Sequence, residues 1–199
     1  MKFRVERDVL ADAVAWAART LPPRPPVPLL AGLRIDAVDG RLVLSSFDYE
    51  VSARVEGDAD VSEPGVALVS GRLLADISRS LPSRPVDVVT DGARVVLTCG
   101  SARFTLLTLP VEDYPSLPEM PSASGSIAGP EFAAAVAQVS IAAGRDDTLP
   151  VLTGVRIEID GEKVVLAATD RYRLAVRELR WTPEQTGLSA TALVPARTL

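Results

Sequence analysis

The chain contains no histidine and a single cysteine, Cys99. Without histidine there is no Ser-His-Asp triad, no Cys-His pair, no imidazole general base and no histidine-containing zinc site. One thiol permits no internal disulfide, which fits a reducing compartment. Cys99 ends the alternating stretch Val95-Val96-Leu97-Thr98-Cys99 with no base beside it, so it reads as a small strand residue and not a nucleophile. No apolar run approaches the ~18 residues of a membrane span. Met1-Lys2-Phe3-Arg4-Val5-Glu6 lacks the apolar core of a signal peptide. Neither G-x-x-x-x-G-K-[ST] nor G-x-G-x-x-G occurs, which leaves nucleotide binding without support. These absences predict a cytoplasmic, non-enzymatic protein with no cofactor and no metal. The carboxylate pair Asp146-Asp147 could hold a divalent ion, but a solvated turn after a helix is the commoner meaning of such a pair.

Lysine is scarce too: only Lys2 and Lys163 among 21 basic residues, the rest being arginine. Arginine's planar fork suits phosphate, although a GC-rich coding sequence would give the same bias. The net charge of −5 argues against a nucleic-acid partner for the chain as a whole. DNA, however, responds to the local field of one face. With 47% hydrophobic and 24% charged residues, the chain has the composition of a folded protein with a substantial core.

What is abundant is repetition. Pro28-x-Leu30-x-Gly32-x-Arg34-Ile35-Asp36 reappears as Pro150-x-Leu152-x-Gly154-x-Arg156-Ile157-Glu158, an offset of 122 residues. Val14 and Val136, Leu44 and Leu166, and Asp48 and Asp170 share that offset. A near-duplicate one domain length away means two copies of one fold. A shorter period lies inside the longer one, since Val9-Leu10-Ala11-Asp12 recurs as Leu73-Leu74-Ala75-Asp76. Each copy opens a stretch of helical spacing followed by strands hinged on Asp-Gly turns at Asp39-Gly40, Asp91-Gly92 and Asp160-Gly161. The unit therefore reads strand, helix, then a meander of about three strands, an α+β fold of repeated β-α-β-β-β units.

In the first unit Lys2–Val5 is a strand and Asp8 caps a helix running to about Thr20, ended by Leu21-Pro22-Pro23-Arg24-Pro25-Pro26. Strands follow near Leu30–Asp36, Arg41–Ser46 and Tyr49–Glu56. The second unit has a strand at Val66–Ser70, a helix at Gly71–Leu81, and strands near Val86–Thr90, Arg94–Cys99 and Arg103–Leu109. Val111–Ser126, rich in proline and serine, matches neither period and predicts a linker. Residues 1–120 form the first domain, 121–127 the link, and 128–199 the first part of a second domain. There a helix from Pro130 to Ala143 is closed by Gly144 at a C′ position. Strands near Thr153–Ile159, Lys163–Ala168, Leu174–Trp181 and Ala190–Pro195 follow.

Three places depart from core patterning. Arg24 stands among prolines on a stiff loop suited to a phosphate contact, or is an ordinary solvated arginine. Arg72 and Arg79 share one helix face and, with Arg19, form either a basic stripe or, given Asp8, Asp12 and Asp76, a mixed solvated face. Thr169-Asp170-Arg171-Tyr172-Arg173-Leu174-Ala175 sets two arginines around a tyrosine at a turn, either a peptide anchor or a plain turn with a half-buried ring.

Met1-Lys2-Phe3-x-Val5-Glu6-Arg7, Arg24-Pro25-x-x-Pro28, Phe104-x-Leu106-x-Thr108-Leu109-Pro110 and Ala168-Thr169-Asp170-x-x-Arg173-Leu174-Ala175 together resemble the bacterial DNA sliding clamp, the beta subunit of DNA polymerase III. The resemblance implies a DNA-clamp fold with helices on the inner face and sheets on the outer face. Two three-domain subunits of that family close head to tail as a homodimer ring that encircles duplex DNA, slides, and confers processivity. Partners implied are double-stranded DNA without sequence preference, the replicative polymerase alpha subunit, the clamp loader and other clamp-motif proteins, with no membrane. Polymerase and nucleotidyltransferase labels attach to such a protein only through the holoenzyme.

By position, the resemblance implies DNA contacts at Arg24 and Arg72, with Arg79 and Arg19 facing the same channel and Arg145 in the loop after the third helix. It implies a peptide pocket of Leu152, Thr169, Arg171, Tyr172, Arg173 and Leu174, in which Arg171 and Tyr172 replace a smaller residue and an imidazole. Arg103, Phe104 and Leu106 correspond to a dimer-interface edge. A clamp of this family would continue past Leu199, so the expectation is a fragment that does not close a ring alone. The alternative is a truncated paralogue that holds clamp-motif peptides without encircling DNA.

Overall fold

The computed structural model describes residues 1–199 except Pro23, Pro26, Glu50, Met120 and Asp147. The chain divides into two compact units, Met1–Glu119 and Met120–Leu199.

The first unit opens with β1 (Lys2–Val5) and turns directly into α1 (Arg7–Ala17). Apolar residues Leu10, Ala13, Val14 and Ala17 recur at helical spacing and are buried. Asp8 is not the cap: Glu6 holds the extended N-cap position with no side-chain bond, and its carbonyl accepts the Leu10 N–H. β1 runs up to Val5, so the helix has to begin before Asp8. Beyond Ala17 a 3-10 turn, Ala18–Thr20, leads into the proline-rich loop, of which Pro23 and Pro26 lie outside the described residues. The Ala17 carbonyl accepts from the buried Ser46 hydroxyl at 2.7 Å and from Thr20 at 3.2 Å. This satisfies a helix end that water cannot reach.

After the 3-10 turn Pro28–Ala31 come β2 (Gly32–Val38), β3 (Arg41–Phe47), β4 (Ser52–Asp58), β5 (Asp60–Glu63) and β6 (Gly65–Ser70). Next are α2 (Gly71–Ser80), β7 (Val86–Asp91), β8 (Arg94–Cys99) and β9 (Ala102–Leu109). Asp39 and Gly40, at φ 49° and 75°, make the type I′ turn expected of Asp-Gly. The strand expected from Tyr49 starts instead at Ser52. Tyr49 sits in the left-handed region at φ 73°, and the Val51 N–H is held by the Asp48 carboxylate at 2.7 Å.

The nine strands form one sheet in the order β4-β3-β2-β6-β9-β8-β7-β1-β5. Only Ala59 separates the two edge strands in sequence, so the sheet must curl back on itself. Both helices contribute to the core it encloses, which includes Leu33, Leu44, Leu74, Leu97 and Leu106. The helices are antiparallel. At one end Arg7 donates to the carbonyls of Arg79 and Leu81 at the close of α2, a cation placed against a helix C-terminus. At the other end Leu21 packs so tightly on Gly71 that a Cβ there would lie 2.4 Å from Leu21 Cδ1, so any side chain at this position would have to displace the leucine end.

The linker expected over Val111–Ser126 is shorter than that. Tyr114 is buried, accepts the Phe47 N–H at 2.9 Å and donates to the Gly32 carbonyl, fastening its segment to the first unit. Burial pushes this phenol above its ordinary value, against the opposing effects of the Phe47 N–H and the Arg34 charge. Tyr114→Phe is expected to cost about 1–2 kcal/mol, since it leaves the Phe47 N–H without its partner. The phenol is raised in the folded state, so its contribution is complete below pH ~10 and is lost as pH rises through the folded value. Denaturant melts from pH 8 to 11 should show that alkaline loss in the parent and a smaller one in the variant.

In the second unit β10 (Gly125–Ser126) pairs with β14 (Thr182–Pro183). Helix α3 (Gly129–Ser140) packs on a four-stranded sheet, β13-β12-β11-β15, made of β11 (Gly154–Asp160), β12 (Lys163–Thr169), β13 (Leu174–Arg180) and β15 (Ser189–Pro195). Its core centres on Val139, Val155, Leu166 and Leu179. Gly144 does not close α3, which ends at Ser140 with Ile141 as C-cap. Its N–H donates to the Leu152 carbonyl at 2.7 Å, and its missing side chain makes room for Leu152.

Candidate functional site

Four of the predicted DNA-contacting arginines belong to the first unit, and its fold separates them by electrostatic setting. Because the helices are antiparallel, the end of α1 and the start of α2 meet, and there Arg19, Arg24 and Arg72 are all exposed. None of the three has a carboxylate partner among the described residues. Arg72 donates to the Pro22 carbonyl at 3.2 Å, which ties the first residue pair of α2 to the loop carrying Arg24. Arg19 lies over the Trp16 ring, 5.6 Å from its centroid. Arg79 differs: seven residues along α2, it is paired with Asp76. Its end of the helix pair also carries the Arg7–Asp8 pair. The basic stripe read from spacing is therefore a basic end, strongest where the loop meets α2.

Arg145 belongs to the second unit, where it lines a concavity of about 590 Å³ with Leu152, Arg171, Tyr172 and Arg173. The fold thus brings four of the six predicted pocket residues together and sets Arg145 beside them. Thr169 and Leu174 are the paired ends of β12 and β13. The Thr169 hydroxyl is spent on the turn, donating to the Arg173 carbonyl at 2.7 Å and accepting the Arg171 N–H. Tyr172 is 90% exposed, so its ring is free and not half-buried.

The turn is built by Asp170. One carboxylate oxygen accepts the N–H groups of Tyr172 and Arg173, and the other accepts Arg173 Nε at 2.9 Å. These bonds hold Arg171 in the left-handed region at φ 80°, the counterpart of Tyr49 in the first copy. Partial burial raises the Asp170 carboxyl, but the two N–H groups and the Arg173 guanidinium outweigh it and hold the acid below its ordinary value. Across the concavity the Asp146 carboxyl is also lowered, by the Thr148 hydroxyl and N–H and by the charge of Arg171. Asp146 is thus a turn residue, as one of the two readings of its pair supposed; Asp147 lies outside the described residues.

A depressed folded value means that the Asp170 contribution is present above the usual carboxylate range near pH 4 and lost as pH falls through the folded value. The amide resonances of Tyr172 and Arg173 are therefore expected to shift together on acidification from pH 6 to 2. In Asp170→Asn that titration should be absent.

The interface residues divide as well. Arg103 is exposed and Phe104 partly buried, but Leu106 is 1% exposed and belongs to the core. Its side chain cannot line an interface, because alternate residues of β9 face inward and the outward ones are Arg103, Thr105 and Leu107, the last 70% exposed. β9 pairs with β8 from Ala102 to Leu107 but with β6 only at Thr108 and Leu109. Its other edge has no strand partner over Ala102–Leu107 among the described residues.

Two family models cover nearly all of these elements. Residues 1–118 match the DNA polymerase III beta subunit, N-terminal domain, and residues 126–199 match its central domain. The chain belongs to the DNA polymerase III beta subunit family. Over its full length this beta-family chain is 69% identical to the beta sliding clamp of Streptomyces coelicolor and 58% identical to that of Micrococcus luteus. It spans 53% of the first relative and 64% of the second. Its fold superposes on the crystal structure of the DNA polymerase III subunit beta from Pseudomonas aeruginosa with a TM-score of 0.89 at 29% identity, over 99% of this chain and 54% of that one. The α+β fold expected from the repeats, and the clamp fold that the resemblance implied, is the fold of the family. No helix among the described residues is long and apolar enough to cross a membrane.

Trp16, Tyr114 and the structural role of Asp170 were missed by sequence reasoning. Trp16 carried a usable signal, three residues before Arg19 on a helix. Tyr114 carried none, because its partners lie in strands far away in sequence.

Proposed function

We propose that this chain acts as part of a DNA sliding clamp, a non-catalytic processivity factor that encircles duplex DNA and tethers the replicative polymerase. The observation that carries this reading is the cluster of Arg19, Arg24 and Arg72 without carboxylate partners among the described residues, on the helix side of an acidic chain whose relatives are named beta sliding clamps. Such a cluster attracts phosphate without reading bases, and sliding needs that: the attraction is nearly the same at every step along the duplex. The acidic remainder of the surface repels DNA and limits non-productive contact.

The concavity around Leu152, Arg171, Tyr172 and Arg173 serves in this reading as the dock for clamp-motif peptides of the polymerase alpha subunit, the clamp loader and other partners. An aliphatic floor beside an exposed ring and cations is the composition of a peptide anchor. The open edge of β9 serves as the dimer contact by strand addition, with Arg103 and Leu107 at its outer side. Nucleotidyl transfer belongs to the polymerase and to no residue of this chain, and the site of action is the cytoplasm.

Loaded by its clamp loader on a nicked circular duplex, the protein is expected to stay bound through gel filtration and to be released when the circle is cut. Equal loss from circular and linear DNA would sink this reading. The peptide concavity is built wholly within the second unit, which favours a second reading as a peptide-binding scaffold that does not encircle DNA. Clamp-motif peptide binding without retention on circles is the outcome that selects it.

A further inference from the structure

Trp16 lies on the outer face of α1, 53% exposed, with Leu73 of α2 also exposed at the same end of the helix pair. Leaving an indole in water wastes apolar surface that the core could have used. Its setting narrows what would cover it. Arg19 lies against the ring at 5.6 Å, Arg24 and Arg72 are exposed at the same end of the helix pair, and none of the three has a carboxylate partner among the described residues. A polyanion fits these charges, and an occupant that also uses the ring must present a flat apolar face. Duplex DNA satisfies the first requirement but not the second, because its bases are already stacked on one another. A single strand satisfies both, since each unpaired base offers a face and each linkage a phosphate.

We propose that Trp16 and Arg19 form a stacking platform for an unpaired nucleobase, with Arg24 and Arg72 taking the flanking phosphates. The site therefore favours duplex DNA carrying a single-stranded extension over duplex alone. The proposal rests on the nucleic-acid reading of this helix face. It adds a structure preference that diffuse phosphate attraction cannot supply.

The chain has two tryptophans, so Trp181→Phe leaves Trp16 as the sole indole reporter. Its fluorescence is expected to be quenched by a duplex with a single-stranded extension and left unchanged by a blunt duplex of equal phosphate number. Trp16→Ala should weaken binding of the extended duplex about five-fold or more, the low end for loss of one aromatic stacking partner, and leave blunt-duplex binding unchanged. Trp16→Phe should restore most of the difference, which a merely structural role would not require. Absence of quenching, or equal weakening for both substrates, overturns the platform. If the unaltered chain fails to bind blunt duplex yet shows quenching by the extended one, the platform stands and the duplex-encircling reading falls.

Discussion

Replacing Leu166 with alanine is expected to unfold the second unit well before the first. Leu166 is fully buried at the centre of β12, in a core whose ten buried members among the described residues are otherwise mostly alanine and valine, with Leu179 the only other leucine. Removing its branched end leaves a void that small neighbours cannot collapse to fill, at a cost of about 2–5 kcal/mol. That is a large share of the ~5–15 kcal/mol that stabilises a typical domain. Leu44, its counterpart in the first copy, is equally buried but sits in a core of 22 such residues among those described. The tryptophans report on the two units separately, with Trp16 in the first and Trp181 in the second. In Leu166→Ala the Trp181 transition should fall by roughly 8 °C or more, with the Trp16 transition unmoved. Coincident shifts at both probes would mean that the units unfold as one.

Removing the charges of Arg24 and Arg72 together should weaken duplex binding by about ten-fold or more at low salt and flatten its salt dependence. Each phosphate contact releases roughly one counterion, so the slope of log affinity against log salt should fall by about two. The pair should be less than additive, because Arg72 holds the Pro22 carbonyl and thereby the loop that presents Arg24. Arg79→Ala is the internal control. Its guanidinium is already paired with Asp76, and its loss should change the slope by less than either of the others. Equal slopes for all three single variants would remove the distinction between the two ends of the helix pair.

Much of the fold is legible because its signals are local. Asp39-Gly40 can make its turn from two residues alone, and the spacing Leu10, Ala13, Val14, Ala17 marks a buried helix face wherever that helix lies. Boundaries failed where a distant contact decided them. Asp8 is a good capping residue, but β1 leaves no room for the helix to wait for it. Gly144 looks like a helix stop, yet α3 ends earlier and the Gly144 N–H is used to hold the Leu152 carbonyl. The peptide-site candidates were legible as one short run, with Leu152 added only by the family resemblance; the loop after α3 brings Arg145 and Asp146 to them.

By itself the sequence determined that the chain holds copies of one helix-and-meander unit, that histidine chemistry is excluded, and which arginines could meet phosphate. Repetition and composition are properties of residue order and survive in the unfolded chain. Only the tertiary structure decided that Arg79 is neutralised while Arg19, Arg24 and Arg72 have no carboxylate partner among the described residues, that Leu106 belongs to the core, and that Trp16 stands in water beside Arg19. Pairing, burial and exposure depend on distances between residues remote in sequence, and those distances exist only once the nine-stranded sheet has curled around its two antiparallel helices.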